Sequence, residues 1–401
     1  MIRITAPFGF YGAGNIGDEA TLNGFARLLA VHRAPAKVSI GSRNPAHTAR
    51  VEPAFSYFNE SGRDWRRWWA KYRATAHAVI GGTPIMDALG EWPLSEVGPL
   101  VIRATDRWRV PFVFVGVGVE NLRSEHSRNV VKQEMASRVQ RWTVRSNRDR
   151  QRLLDYGVAA ECVTVAADMA WLIESPPGDF GLNRLRSWQI NPDRPLIGVN
   201  LVNENRILDE NPGMVAALAQ ALDKLIHHLD AQVIFLSNEI RDLPEFDKAA
   251  AVRVIAEMKR GDRCLVAPLD YLSPQQMMSI VGHCCLTISM RYHFCLFSAL
   301  QRVPFVAITR SDKVSDLCWD LGWDAKVVPP KFDADEILGH AIRVTHRPTE
   351  NDALWRESIA KMKNRALQNI MAIEVLREGR PAPTPATLKV ADAPNPTQTP
   401  R

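Results

Sequence analysis

Arg291 and His293 stand two residues apart in Ser289-Met290-Arg291-Tyr292-His293, where a β-branched run gives way to a helical pattern. Lys313 follows the next such run, in Thr309-Arg310-Ser311-Asp312-Lys313. A guanidinium grips an oxyanion with a two-pronged fork, an ammonium acts as a point charge, and an imidazole exchanges a proton near neutral pH. If both segments follow strands of one parallel sheet, all three side chains share the edge where α/β ligand crevices lie. The helix start after Arg291 adds partial positive charge there. Singly, each residue reads as an exposed cation or a half-buried histidine; together they make a site for a compact, highly charged anion. Residues 289–299 contain no acid to hold a ribose, which argues against a nucleoside.

A second polar cluster lies near the amino end. Gly12, Gly14 and Gly17 spell G-x-G-x-x-G between a strand pattern and a helix pattern, the spacing of a dinucleotide fingerprint, and Arg43 could face a 2′-phosphate. A pyrophosphate would sit at the helix N-terminus, but Asp18 and Glu19 occupy that first turn and would repel it. Two readings remain. Asp18 caps the helix while the glycines turn the chain, or Asn15, Asp18 and Glu19 line a cleft, bond sugar hydroxyls and supply one carboxylate as a base.

The elements that must position these groups alternate, which predicts parallel βαβ units. Strands are expected at 2–7, 37–40, 78–80, 111–117, 141–144 and 163–166, then at 196–201, 232–237, 264–266, 286–289, 304–308 and 326–328. The fold class is therefore α/β, with two Rossmann-like domains facing a cleft. The expected divisions are an acceptor-side domain at 1–175, a Pro/Gly-rich linker at 176–195, a donor domain at 196–350, a C-terminal helix at 351–379 and a disordered tail at 380–401. The arginine-rich run 138–152 is expected to be mostly a solvated helix face.

Composition narrows the class. The 401 residues are 46% apolar and 23% charged, as in an ordinary globular protein. A net charge of +6 suits an anionic substrate but is too dilute for a dedicated nucleic-acid binder, and no nucleic-acid partner is expected. No run approaches the roughly 20 apolar residues of a membrane span. The six cysteines are scattered without a Cys-x-x-Cys pair, so no metal site is expected and a reducing, cytoplasmic setting is. The most unusual run is 63–73, where Trp65, Trp68 and Trp69 interleave with arginines. It reads either as a helix with packed tryptophans or as a peripheral contact with the inner face of the cell membrane.

The segment Gly9-Phe10-Tyr11-Gly12-Ala13-Gly14-Asn15-Ile16-Gly17-Asp18-Glu19-Ala20 resembles the opening motif of the polysaccharide pyruvyl transferase family. Val79-Ile80-Gly81-Gly82 with Asp87 is similar to its second glycine-rich turn, Thr143-Val144-Arg145 to its arginine-bearing strand end, and Asp168 to the aspartate closing its first domain. Ser289-Met290-Arg291-Tyr292-His293 and Asp312-Lys313-Val314 resemble its Arg-x-His and Lys motifs. The likeness runs in order over 5–322, nearest to the branch acting on bacterial cell-wall and exopolysaccharide glycans. Thr83-Pro84, Ser146 and Asp149 depart from the common pattern.

The resemblance implies a GT-B-like fold and transfer of pyruvate from phosphoenolpyruvate to two hydroxyls of one sugar, as a ketal, with release of phosphate and no metal or other cofactor. It implies that Arg145, Arg291 and Lys313 bind phosphoenolpyruvate and that His293 protonates its methylene carbon. Asp18 or Glu19 would be the base and Asn15 would help hold a saccharide acceptor, free or lipid-linked. The alternatives are a glycosyltransferase using a nucleotide sugar and a non-catalytic phosphoenolpyruvate- or glycan-binding protein of the same fold.

Overall fold

A computed structural model of the chain describes residues 2–378 except 61–63, 89 and 177; the tail expected at 380–401 lies outside the described residues. Apolar β-branched runs form two all-parallel sheets. The first holds β1 (Ile2–Ala6), β2 (Ala36–Ser42), β3 (Ser56–Asn59), β4 (Ala76–Ile80), β5 (Phe112–Val117), β6 (Arg141–Val144) and β7 (Val163–Val165), in the order β3-β2-β1-β4-β5-β6-β7. The second holds β8 (Leu196–Asn200), β9 (Gln232–Phe235), β10 (Cys264–Val266), β11 (Leu286–Ser289), β12 (Phe305–Ile308) and β13 (Lys326–Val327), in the order β10-β9-β8-β11-β12-β13. The central strands β4, β5, β8 and β11 are buried along their whole length, because helices cover both faces of each sheet.

Each of the twelve expected strands is present, and β3 is an addition. Its sequence, Ser56-Tyr57-Phe58-Asn59, buries only Phe58, so an edge strand of this kind carries no apolar run to betray it. The helix expected at 351–379 is two, Pro348–Leu367 and Ile370–Arg377. Asn369 interrupts it: its amide donates to the Ala167 carbonyl at 2.8 Å and its oxygen accepts from the Thr143 hydroxyl at 2.6 Å. The chain thereby returns to the first sheet, packing its last helix on β5 and β6.

The helix Asp312–Leu321 was not foreseen, because acids and Lys313 dominate its start. Its stripe of Val314, Leu317, Cys318 and Leu321 is nonetheless buried. The basic run is less solvated than expected. Arg148 pairs with Asp312 at 2.9 Å and Asp316 at 3.2 Å, and Arg152 also pairs with Asp312, tying the two domains together. One apolar core runs from the Ile16–Val31 side of the first sheet, through Met169, Ala170, Trp171 and Leu172, into the second sheet without a break. The two sheets are thus joined by packing.

Candidate active site

Residues that follow the carboxyl ends of strands in both sheets line a cleft of about 780 Å³. On the second-domain wall β11 ends at Ser289, whose hydroxyl accepts the Arg291 N–H at 2.9 Å and turns the chain into the helix Tyr292–Leu300. His293, in the first turn, points back at the first domain. Its Nε2 lies 3.4 Å from Asp168 Oδ2 and 3.5 Å from the Thr21 hydroxyl. Its Nδ1 side rests on Gly17, where an added Cβ would stand 2.1 Å from Nδ1.

Asp168 is fully buried after β7. It accepts from the Ala170 N–H at 2.9 Å and the Thr21 hydroxyl at 3.2 Å, and faces Arg145 at 3.0 Å. Burial alone would raise its pKa; Arg145 and His293 outweigh that and hold the carboxyl well below the ordinary carboxylate range. Arg145 is fixed in turn by the Gly116 carbonyl, to which its Nε donates at 3.0 Å. The first-domain wall therefore presents an ionised aspartate to an imidazole contributed by the second.

Since only a hydrogen fits between Gly17 and the ring, Gly17→Ala must displace His293 or part the domains. Turnover is expected to fall at least about 100-fold, as for a misplacement of an ångström, while the circular dichroism spectrum stays that of the wild type. Steady-state rates and spectra on the purified variant check this, and an unchanged kcat would mean the ring works from another position.

The two adjacent carboxylates diverge. Asp18 is half-buried and lines the cleft; burial, partly countered by His293, pushes it up to about 6. Glu19 is buried and turned away from the cleft, accepting from the Gly12 N–H at 2.7 Å, the Tyr271 hydroxyl at 2.9 Å and the Thr48 hydroxyl at 3.4 Å. It closes the glycine loop on itself and on the second domain. Asn15 caps the helix Ile16–Val31, accepting the Gly17 N–H at 2.8 Å. Backbone bonds Ile16 N–H to Asn238 O, 2.8 Å, and Ile240 N–H to Gly14 O, 3.0 Å, latch this loop to the segment after β9. At Gly14, with φ +112°, a Cβ would lie 2.7 Å from Glu239 Oε1, so the latch needs glycine there.

Arg291 is 8% exposed and its charge is already matched. Nε and Nη2 donate to Asp247 Oδ1 at 3.1 and 2.6 Å, and Nη1 donates to Glu204 Oε1 at 2.6 Å. Acids are absent from 289–299 in sequence, yet the fold brings two to Arg291 from distant segments, Asp247 from the start of the helix Asp247–Glu257. The second oxygen of Glu204 takes Arg310 Nη2 at 2.7 Å. Burial would raise Glu204, but Arg291 and Arg310 outweigh it and hold the carboxyl at about 2.

Arg310 was not among the candidates, although its place directly after β12 was the available signal. Its Nε and the Ser311 hydroxyl are buried with no hydrogen-bond partner among the described residues. Lys313 stands exposed to the cleft without an ion-pair partner among the described residues, and its surroundings, then Arg310, hold it below the ordinary lysine value. The three follow one another at the start of the helix Asp312–Leu321.

The architecture recurs in sugar-handling proteins of low identity. The chain is similar to a glycosyltransferase from Rickettsia africae, with TM-score 0.54 at 13% identity, over 94% of this chain and 96% of that one. It is similar to Anabaena Alr3699/HepE, solved in complex with UDP-glucose, with TM-score 0.61 at 12% identity over 94% and 99%. A UDP-GlcNAc 2-epimerase from Neisseria meningitidis, bound to UDP-GlcNAc, gives TM-score 0.61 at 11% identity over 94% and 100%. These likenesses establish a GT-B-like fold. No curated protein matches the chain. A family model, polysaccharide pyruvyl transferase, matches residues 15–312. That span takes in Asp18, Arg145, Asp168, Arg291, His293 and Arg310, the groups that the two walls bring together, and by it the chain belongs to the polysaccharide pyruvyl transferase family of enzymes.

Proposed function

We propose that the protein transfers pyruvate from phosphoenolpyruvate to two hydroxyls of one sugar in a surface glycan or its precursor, forming a ketal and releasing phosphate. What supports this reading is a set of donors at the amino end of a ten-residue helix: Arg310 Nε and the Ser311 hydroxyl, buried without acceptors among the described residues, and the Lys313 ammonium, exposed to the cleft. A buried unsatisfied donor costs about 1–3 kcal/mol; a phosphate dianion removes that cost for Arg310 and Ser311, pairs with the exposed Lys313 ammonium and meets the helix dipole. Arg145, on the facing wall, takes the carboxylate end. Arg291 is a positioning residue, holding Glu204 and through it Arg310.

His293 is oriented by Asp168 at Nε2 and lines the cleft, so its imidazole is the group placed to exchange a proton with the donor. It protonates the methylene carbon of phosphoenolpyruvate, which becomes a methyl group, and C2 takes on positive character. The first sugar hydroxyl adds at C2 and gives its proton to Asp18. The bond from C2 to the phosphate oxygen then breaks, its electron pair leaving with phosphate. The second hydroxyl closes the ketal and its proton departs with the phosphate. Asn15 and Asp18 flank the acceptor, and Glu19 supports the loop that carries them.

The test is differential scanning fluorimetry with phosphoenolpyruvate, UDP, GDP, NADP⁺ and inorganic phosphate. A ligand at about 100 times its Kd adds roughly 2.7 kcal/mol of stability. A shift with phosphoenolpyruvate that is lost in Lys313→Ala is expected. A shift with UDP or GDP alone would make this a nucleotide-sugar enzyme, and phosphoenolpyruvate binding without phosphate release in a screen of glycan acceptors would make it a binding protein.

The base also has a pH signature. Asp18 must be ionised, so kcat/KM is expected to rise with pH through about 6 and level off above it. Asp18→Asn should abolish that rise. Folding raises this carboxyl, so its contribution to stability is present below about pH 4 and is lost as pH rises through the folded value. Asp18→Asn is therefore expected to melt above the wild type at pH 8 while turning over more slowly, as thermal melts and rates on one preparation will measure.

A further inference from the structure

The helix Trp65–Arg73, between β3 and β4, has no buried residue. Trp65, Trp68, Trp69 and Tyr72 recur at i, i+3, i+4 and i+7, which puts them on one stripe. They are 69%, 72%, 50% and 84% exposed. The opposite side makes the attachment: the Ala70 carbonyl accepts the Thr5 hydroxyl at 3.0 Å, and Arg67 Nη1 donates to the Glu60 carbonyl at 2.8 Å. Arg66 and Arg73 are exposed beside the stripe, and the Arg73 guanidinium lies 4.6 Å from the Trp69 ring centroid. Asp64, whose carboxylate caps the helix, is the single acid in 64–73.

The cations continue past the helix. Burial, then Arg67 and Arg103, push Lys71 down to about 8, so like charges crowd here. Arg103 is exposed, and beyond the buried Ala104 and Thr105 so are Arg107, Trp108 and Arg109. Trp108 stacks on His77 at 5.3 Å, and His77 in turn lies within electrostatic reach of Lys71.

Four aromatics exposed in a row between cations have few physical uses. A second copy related by a twofold axis would set this basic face against itself, which repels. A sugar stacked on the rings would leave the cations unused. A phospholipid surface uses both, since tryptophan and tyrosine favour headgroup depth and Arg and Lys reach lipid phosphates. Among the described residues no helix is long and apolar enough to cross a membrane, so the contact is one of lying on the surface.

We propose that the Trp65–Arg73 helix docks flat on an anionic phospholipid surface, with Trp65, Trp68, Trp69 and Tyr72 at headgroup depth and Arg66, Lys71 and Arg73 against lipid phosphates. The proposal is independent of the reaction. It has a geometric consequence, because Arg43 lines the cleft and its Nε donates to Glu60 at 2.8 Å, at the foot of this helix. Docking therefore brings one rim of the cleft to the lipid surface.

Flotation of the full chain with phosphatidylcholine vesicles, with and without phosphatidylglycerol, tests it. The wild type is expected to float only with the anionic vesicles and less so as salt is raised. Bromine-labelled phosphatidylglycerol should quench its tryptophan fluorescence. Each surface cation contributes about a factor of five, so Arg66→Glu with Lys71→Glu and Arg73→Glu should weaken binding by about a hundredfold or more. Trp68→Ala with Trp69→Ala should also release the protein, at an unchanged Tm. The idea fails if the wild type neither floats nor is quenched, or if the variants float as well as it does. It fails equally if light scattering shows a wild-type oligomer that these variants dissolve without lipid, for then a second copy covers the helix.

Discussion

His293→Ala is expected to lower turnover by about 10²–10⁴-fold, the usual worth of a positioned acid–base group, with phosphoenolpyruvate still raising the melting temperature. The separation follows from the geometry. Arg310, Ser311 and Lys313 sit at the start of one helix and His293 in the first turn of another, so donor binding and proton transfer use different side chains. Asp168→Asn should fall between wild type and His293→Ala. It keeps a hydrogen-bonding group near Nε2 but removes the charge that balances Arg145 and the imidazolium. Phosphate release measured with each variant, beside its ligand-induced melting shift, checks both. A His293→Ala enzyme with near-normal turnover would transfer the acid role to Asp18, whose carboxyl at about 6 is the next group able to hold the proton.

The second large effect separates two arginines that share one glutamate. Arg291→Ala is expected to destabilise the fold by about 3–5 kcal/mol, because breaking a buried pair leaves uncompensated charge behind; here Asp247 and part of Glu204 lose their partner. Arg310→Ala leaves Glu204 still paired with Arg291. It should change stability far less, and raise the KM for phosphoenolpyruvate about 10- to 100-fold, the worth of hydrogen bonds to a charged group. Urea denaturation and steady-state kinetics on the two variants distinguish a positioning arginine from a binding one. If Arg291→Ala raised KM with no loss of stability, Arg291 would itself face the donor.

Much of this architecture is legible in one dimension. The expected strands fall where apolar β-branched runs lie, because a strand buried on both faces must be apolar throughout. The misses have equally local causes. β3 buries a single side chain, the start of Asp312–Leu321 is polar because it lines the cleft, and the break at Asn369 serves a tertiary bracket to Thr143 and Ala167. Of the three, only the Val314, Leu317, Cys318 and Leu321 stripe leaves a periodic trace, and the polar start masks it.

Sequence by itself determined the α/β class and the family motifs. It also determined that Arg145, Arg291 and Lys313 gather at strand ends, because in a parallel sheet the residue after every strand emerges at one edge. Tertiary structure alone decided which of those cations are free. Arg291 meets Glu204 and Asp247, 87 and 44 positions away, through loops whose paths no pattern encodes. It alone separated Asp18 from Glu19: neighbours on a helix point about 100° apart, so one faces the cleft and the other is turned into the packing behind it. And it alone set Gly17 against His293. A buried charge must find a partner and a packed ring must find space, but which residue supplies either is settled only when distant segments meet.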